Sequence, residues 1–546
     1  MRLFTVFSWI AAALCAWTPS GHAAAAEPLR VADLTQAESI PRSLIKTLAT
    51  YQGIVNRDQP RLFLVRSQED LFWLGEIEKR HGLQTVRLAD PRDAFDDPQL
   101  RALCSGLIRY GKDDCEMAEN VALTLAGLKQ CAIFSGNDNE LAEMSRRGFA
   151  VREDIRGRWK TNEEAQAWAF ENLRPQCAPD VFAINRGGFK EAKGTDYMVQ
   201  RKMFVLFLDT TGAYIQDGAT TQRACLASYA PTFAYGFWSK EVPDIAVLSE
   251  YGHCDAGDAP NISVFSHLPR PEAFAQKTIG ELPVFDPAKT FIFISFSQGD
   301  SLNFCQTFNL RHLTERSASQ PDKRVADRYP FGLMHSTLNY STQPIVPAAL
   351  YDLAAAPGQW FSAKGYGYAN PTTLEQFGFL DLYLKRSKEA MRQMGIVDFM
   401  LNDRGVEGDP DRAIVTKIAR ELQPRSIVMK HQLDPAEQFD DPLAMIDGVL
   451  LLPDPVFDLD DPDSPKQFDC ALSLSRILES AKKRQFFWVF LRHTVTVSDL
   501  ERLMDALAQN HPEIEILNPD VFIRFCLELA RNPETAPALF SPRSVD

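Results

Sequence analysis

Long apolar runs are scarce in this sequence. Beyond residue 26 no segment is apolar for long enough to span a bilayer as a helix. There is no polybasic run, low-complexity tract or tandem repeat, and the formal net charge is -14. That balance argues against nucleic acid and anionic membrane surfaces as partners. No cysteine sits in a CxxC pair, so a zinc ribbon or thioredoxin-type site has no support. HExxH, GxSxG, a P-loop and a dinucleotide fingerprint are all missing; the adjacent Gly187 and Gly188 of "INRGG" have the wrong spacing to count. The usual motifs of metalloproteases, serine hydrolases, NTPases and dehydrogenases are therefore lacking.

What is present begins at the N-terminus. Met1-Arg2 is followed by an apolar run from Leu3 to Trp17, then Thr18-Pro19-Ser20-Gly21 and the small residues Ala23 to Ala26. A charged start, a short greasy core and an A-x-A-type site predict a secretory signal peptide over 1–26. Cleavage is expected near Ala24 or Ala26, with export to the periplasm or beyond and no membrane attachment afterwards. Apart from Cys15 there are nine cysteines. Export permits disulfides, and Cys104 with Cys115 is the expected local pair; burial as free thiols is expected for the others.

Residues 27–280 alternate helical and strand-like segments. "SLIKTLATYQGIVNR" has helical spacing, and "PRLFLV" is a short apolar strand. "QEDLFWLGEIEKRHG" is a helix ending at Gly82, and strands "QTVRL", "CAIF" and "VFAIN" follow among further helices. "KMFVLFLD" and "DIAVLSE" continue the pattern, with aromatic-rich connections between Tyr229 and Trp238. This rhythm predicts a Rossmann-like parallel sheet region covered by helices. A boundary falls near "GELPVFDPAK".

Residues 281–546 are more regular. Strand candidates span 291–297, 330–336, 359–365, 397–401, 426–430, 448–452, 487–491 and 513–517, with helical crossovers between several of them. One helix is expected over 374–394, capped by Thr372 or Thr373 and closed by Gly395; another opens at Ser498 with Glu501 as its capping box. The pattern predicts a (β/α)-barrel-like domain, with an open doubly wound sheet as the alternative.

Chemistry in such folds gathers at the carboxyl ends of strands. Those ends deliver Gln298 and Asp300, His335, the "KGYGYANP" stretch from Lys364, Asp403, His431, Asp454 and His493. In "KGYGYANP", Gly365 and Gly367 let a ligand approach the backbone, and Tyr366 and Tyr368 offer flat faces to a ring.

"GYGYANP" resembles the pattern Gly-x-Gly-Tyr-x-Tyr-Pro, which names a family of exported proteins described as putative glycoside hydrolases. Gly365, Gly367, Tyr368 and Pro371 match, and Asn370 stands where the family has tyrosine. "YQGIVNRDQPRLFL", "WAFENLRPQC" and "DYMVQRKMFVLFLD" resemble other family segments. "SQGDSLNF" is similar to a Ser-Asp-Gly-Asp-Asn element, with Gln298 and Ser301 replacing an acid and an amide. The resemblance runs over nearly the whole mature chain and implies a hydrolase acting on poly- or oligosaccharide.

A glycosidase needs a general acid and a second carboxylate. Asp300 and Asp403 are the expected pair, with Asp454 or Glu375 able to replace Asp403. Tyr366 and Tyr368 are the expected stacking platform, with Gly365, Gly367, Asn370 and Gln298 around it and His335 and His493 bonding sugar hydroxyls. No cofactor is expected under this reading. Two other readings stand beside it. One is a divalent-metal-dependent carbohydrate deacetylase using Asp300 with His335 or His431; the other is a carbohydrate-binding protein without activity.

Overall fold

The computed structural model describes residues 27–35, 40–185, 193–208, 219–237, 241–277, 280–296, 301–354, 358–401, 412–429, 444–452, 456–457, 468–492 and 495–532. Residues 1–26, the expected signal peptide, lie outside this set. The protein is an α/β structure built from several parallel sheets.

Three sheets form the N-terminal half. The first has order β2-β1-β3, from Leu29–Asp33 (β1), Leu62–Val65 (β2) and Thr85–Arg87 (β3). The second has order β5-β4-β6, from Gly106–Arg109 (β4), Cys131–Phe134 (β5) and Val151–Asp154 (β6). The third has order β10-β9-β7-β8, from Phe182–Asn185 (β7), Phe204–Leu206 (β8), Phe233–Phe237 (β9) and Cys254–Asp255 (β10). All their pairings are parallel. The aromatic connection expected near Tyr235 is itself a strand, β9, while "DIAVLSE" lies in the helix Glu241–Glu250. Gly82 closes the helix Gln68–His81 in the left-handed conformation at φ +63°, as its position predicts.

The expected disulfide does not form. Cys104 and Cys115 are both free, as are all the cysteines among the described residues. The reason is geometric. β4 runs between them and separates its two ends by roughly 10 Å at the rise of a strand, beyond the reach of a disulfide. The Cys104 thiol instead donates to the Gly106 carbonyl at 3.4 Å.

The C-terminal half contains every expected strand: Thr290–Phe296 (β11), Phe331–Met334 (β12), Gln359–Ser362 (β13), Asp398–Leu401 (β14), Ser426–Met429 (β15), Val449–Leu452 (β17), Phe486–Leu491 (β19) and Ile514–Ile516 (β20). Ala444–Ile446 (β16) and the short Val456–Phe457 (β18) are additional. They form two sheets, β13-β12-β11-β19-β18 with β20 beside β11, and β14-β15-β17-β16. Among the described residues a single parallel bridge, Ala363 to Phe399, joins the sheets. From β11 through β12, β13, β14 and β15 to β17 the strands follow one another around an arc in chain order, with β19 and β18 on the other side of β11, but no closed sheet is found among the described residues.

A helix occupies the concave side of that arc. Phe522, Ile523, Phe525, Cys526 and Leu529 of Pro519–Arg531 share one core cluster with Phe291 and Phe293 of β11, Met334 of β12, Met400 of β14, Val428 of β15, Leu450 and Leu452 of β17 and Trp488 of β19. Residues of opposite parity, such as Ile292, Ile294 and Leu333, pack outward in a second cluster. Below the arc, buried Asp398 accepts from Trp360 Nε1 at 2.6 Å, from Ser426 Oγ at 2.8 Å and from Arg425 Nε at 3.0 Å. Arg425 also reaches Asp520 of the concave-side helix at 2.5 Å, tying that helix to β14 and β15.

Two local expectations need correction. The helix expected over 374–394 is broken into Pro371–Gln376 and Leu380–Met394, with Gly378 between them at φ +80°. Ser498 does not open its helix: Thr496 caps Val497–Asn510, with Asp499 as the reciprocal partner. Glu501 is instead buried, accepting from Ser317 Oγ and pairing with Arg328.

The halves share their interior. Leu29, Val31, Phe63 and Val65 join the outward cluster of the C-terminal half, while Ala32, Leu62 and Leu64 of the same strands face the N-terminal core. Strands β1 and β2 are therefore packed on both faces, as strands of a parallel sheet covered on both sides must be, while β3 is an exposed edge. Asn261 adds polar links across the interior. It is fully buried, and its side chain bonds Gln52, Leu64 and Asp70.

Candidate functional site

The end of β13 meets the end of β10. Tyr368 N donates to Asp255 O at 2.9 Å, and Asp255 N donates to Tyr368 O at 2.7 Å. This small antiparallel bridge brings the Gly-Tyr-Gly-Tyr stretch against the N-terminal half. The turn after β10 is held by Gly257 N donating to Asp255 Oδ2 at 2.8 Å. A side chain at Gly257 would collide with Ser301, and Leu302 N donates to Ala256 O at 3.2 Å. The loop carrying Asp255 and Asp258 therefore lies on the segment that follows Asp300 in sequence.

Within the stretch, Gly365 has φ +92° and Gly367 has φ +147°. The space a Cβ would take at Gly365 is filled by Tyr383 and Ser387, and at Gly367 by Asp255 O and Cys254. The glycines thus admit neighbouring protein rather than leaving the backbone open there. Tyr383 OH reaches Gly367 O at 3.2 Å, Thr337 Oγ1 reaches Gly365 O at 2.5 Å, and Ser387 Oγ accepts from Tyr366 N at 2.9 Å. The loop conformation is specified from three sides.

The expected residues separate into distinct roles. Tyr368 is buried, at 5% exposure, and belongs to the apolar core of the N-terminal half. Lys364 Nζ lies 3.9 Å from its ring centroid, so an ammonium occupies a face expected to hold a sugar. Tyr366 is only partly buried and has Arg386 5.5 Å from its ring centroid. Asn370 caps the helix Pro371–Gln376: its Oδ1 accepts from Thr373 N at 2.8 Å, and its own N donates to Ser249 Oγ at 2.9 Å. It is 3% exposed, so its side chain is committed to the fold. Glu375 is paired with Lys417 at 2.7 Å. Asp300, Asp403, Asp454, Gln298, His431 and His493 lie outside the described residues.

His335 also departs from expectation. Gly332 and Met334 face the concave side, so the period of two turns His335 outward. It is fully buried, 5.5 Å from the Phe361 ring and 5.9 Å from the Tyr351 ring, with Asn339 Nδ2 2.9 Å from its Nδ1. Its Nε2 has no hydrogen-bond partner. Burial pushes its pKa down to about 4, and does the same to His253 beneath β9. A sugar or metal contact at His335 does not fit this apolar setting. Among the described residues no group of three His, Cys, Asp or Glu side chains could hold a metal ion.

These histidines carry an expected pH dependence. Their folded pKa lies below the ordinary value of about 6.5. Both are neutral in folded and unfolded chains at high pH, where their stabilisation is fully present. As pH falls from about 6.5 towards 4, the unfolded chain takes up protons that the folded chain refuses. Each histidine then removes up to about 3 kcal/mol of stability. Denaturant melts near neutrality and near pH 5 should show the loss, and His335→Gln should flatten the slope. An unchanged slope in that variant would contradict the assignment to His335.

The residue that strand-end reading passed over is Lys364. Trp360 and Ser362 of β13 face the concave side, and the same alternation carries on to Lys364. It is 6% exposed, an unusual burial for a lysine. The alternation was visible in "QWFSAK"; the burial was not.

The fold and this strand-end junction define an α/β protein with a buried, charged seam between two interlocked halves. The chain belongs to the GxGYxYP family: the model of its C-terminal domain, described as that of a putative glycoside hydrolase, matches residues 289–526, and the model of its first, N-terminal domain matches residues 29–97. The crystal structure of a putative hydrolase from Bacteroides thetaiotaomicron VPI-5482 shares the fold, with a TM-score of 0.77 at 16% identity over 92% of this chain and 95% of that one. A 4-alpha-glucanotransferase from Thermococcus litoralis overlaps 43% of this chain and 38% of its own at 14% identity with a TM-score of 0.27, too little to carry any argument. No curated protein matches.

Proposed function

We propose that this chain is an exported glycoside hydrolase acting on an oligo- or polysaccharide, with Asp300 and Asp403 as its carboxylate pair. Family membership supports the class of reaction. The observation that carries the placement is the meeting of β13 and β10: Asp255 bridges to Tyr368, Lys364 covers the Tyr368 ring, and the turn after β10 lies on Ser301, the residue next to Asp300. A buried ammonium beside a carboxylate site favours the ionised carboxylate, which a nucleophile or base requires. In this reading the strands of the C-terminal half continue around an irregular barrel, and sugar enters at the seam between the halves. Tyr366 supplies the ring face, with Tyr368 supporting it from the core.

The test is release of reducing ends from a panel of oligosaccharides. Asp300→Asn and Asp403→Asn should each cut turnover by orders of magnitude and leave the melting temperature near that of the unaltered chain. Near-normal turnover in either variant would break the pairing. Saccharide binding without turnover in the unaltered chain would favour a binding protein instead; the Asn370 cap, which replaces the motif tyrosine, is the feature that would fit it.

A further inference from the structure

A cavity of about 680 Å³ lies away from this seam, at the carboxyl ends of β4 and β5. That is within the range of small-molecule sites. The chain leaves β4 for β5 on one side and then crosses to β6 on the other, so strand order reverses about β4. In open α/β sheets the crevice outside the strand ends at such a reversal is where ligands bind. The third wall is the start of the helix Arg42–Val55. Its Thr47 and Thr50 hydroxyls bond the carbonyl and amide of Ile133 at 2.8 and 3.1 Å, which fixes the helix along the edge of β5.

The lining is polar and charged: Arg42, Lys46, Tyr110, Lys112, Glu119 and Glu140. Its two carboxylates are already engaged. Glu119 takes Lys46 Nζ on both oxygens, at 2.8 and 2.7 Å, and Tyr110 OH at 3.3 Å. Glu140 accepts from Ser43 Oγ at 2.9 Å and closes the capping box with Asn137. Arg42 and Lys112 are exposed at the rim and make no hydrogen bond or ion pair among the described residues. The cavity therefore presents a floor of paired donors and acceptors and a rim of uncommitted positive charge, in a chain whose net charge is -14.

We propose that this cavity binds a small hydroxylated organic anion of the sugar-acid type. Its hydroxyls would bridge the Lys46–Glu119 pair and Tyr110, and its carboxylate would face Arg42 and Lys112. The floor favours vicinal hydroxyls because planar carboxylate and ammonium groups side by side offer an acceptor and a donor at once. The rim favours the charge.

The test is calorimetric titration of the full chain with glucuronate, glucose and inorganic phosphate. Glucuronate should bind at least about tenfold more tightly than either of the others. Arg42→Ser with Lys112→Ser should abolish that preference without lowering the melting temperature, since both side chains are exposed. Equal binding of glucose, equal or tighter binding of phosphate, no glucuronate binding at millimolar concentration, or an unaffected double variant would each overturn the proposal. Asp300→Asn serves as the control: it should bind glucuronate normally, so failure of the catalytic reading and failure of this site give different results.

Discussion

Tyr368→Ala is expected to cost about 3–5 kcal/mol of stability, the range for deleting a large buried ring. The ring is 5% exposed and belongs to the core of the N-terminal half, although its backbone belongs to the C-terminal half. Its loss would open a cavity at the seam and leave the Lys364 ammonium without the ring face it now covers. The cost therefore combines lost transfer energy, a cavity and a desolvated charge. Equilibrium denaturation by urea should show a lower midpoint. A melting temperature close to that of the unaltered chain, with weakened saccharide binding, would show that the ring faces ligand and not core.

Arg425→Met is expected to be comparably severe, at about 3–5 kcal/mol, because breaking one side of a buried ion pair strands the other. Here two carboxylates are stranded. Asp398 is 1% exposed and Asp520 is fully buried, and Arg425 bonds both. Trp360 and Ser426 also donate to Asp398, and Arg524 Nε lies 2.9 Å from Asp520, so the carboxylates would keep some partners. The loss should nevertheless be large, since the Arg425 bridge ties the concave-side helix to β14 and β15. Arg425→Lys keeps the charge but not the fork, and should recover part of the loss. Both variants within about 0.5 kcal/mol of the unaltered chain, the usual span of an exposed surface change, would remove the bridge from the account of stability.

The strands were legible because short runs such as "FIFISF", "FFWVFL" and "VLLL" are apolar on consecutive residues, as strands buried on both faces must be. The helix ends at Gly82 and Gly395 were legible for a different reason: both adopt the left-handed conformation at φ +63°, which glycine takes at little cost. Where local signals competed, the reading failed. Thr372, Thr373 and Asn370 are all acceptable caps, and the backbone uses Asn370. Ser498 with Glu501 and Thr496 with Asp499 both spell a capping box; burial of Glu501 against Arg328 accompanies use of the second.

The candidate site was legible as a place but less so as a set of side chains. Strand ends mark where chemistry collects, yet a loop residue's direction depends on parity and on what packs over it. His335 turns outward because Gly332 and Met334 face inward, and Tyr368 turns into the opposite half because β10 pairs with its backbone.

By itself the sequence determined the element types, the parallel α/β class and the family, since periodicity, turn chemistry and motif spacing are local properties of the chain. Only the tertiary structure decided that two sheets wrap around the helix Pro519–Arg531, that the glycines of the motif receive Tyr383, Ser387 and Asp255, and that Lys364 covers Tyr368. Those outcomes rest on contacts between residues far apart in the chain. Packing across such distances is settled by which apolar faces meet and which buried polar groups find partners, and neither is written in any single stretch.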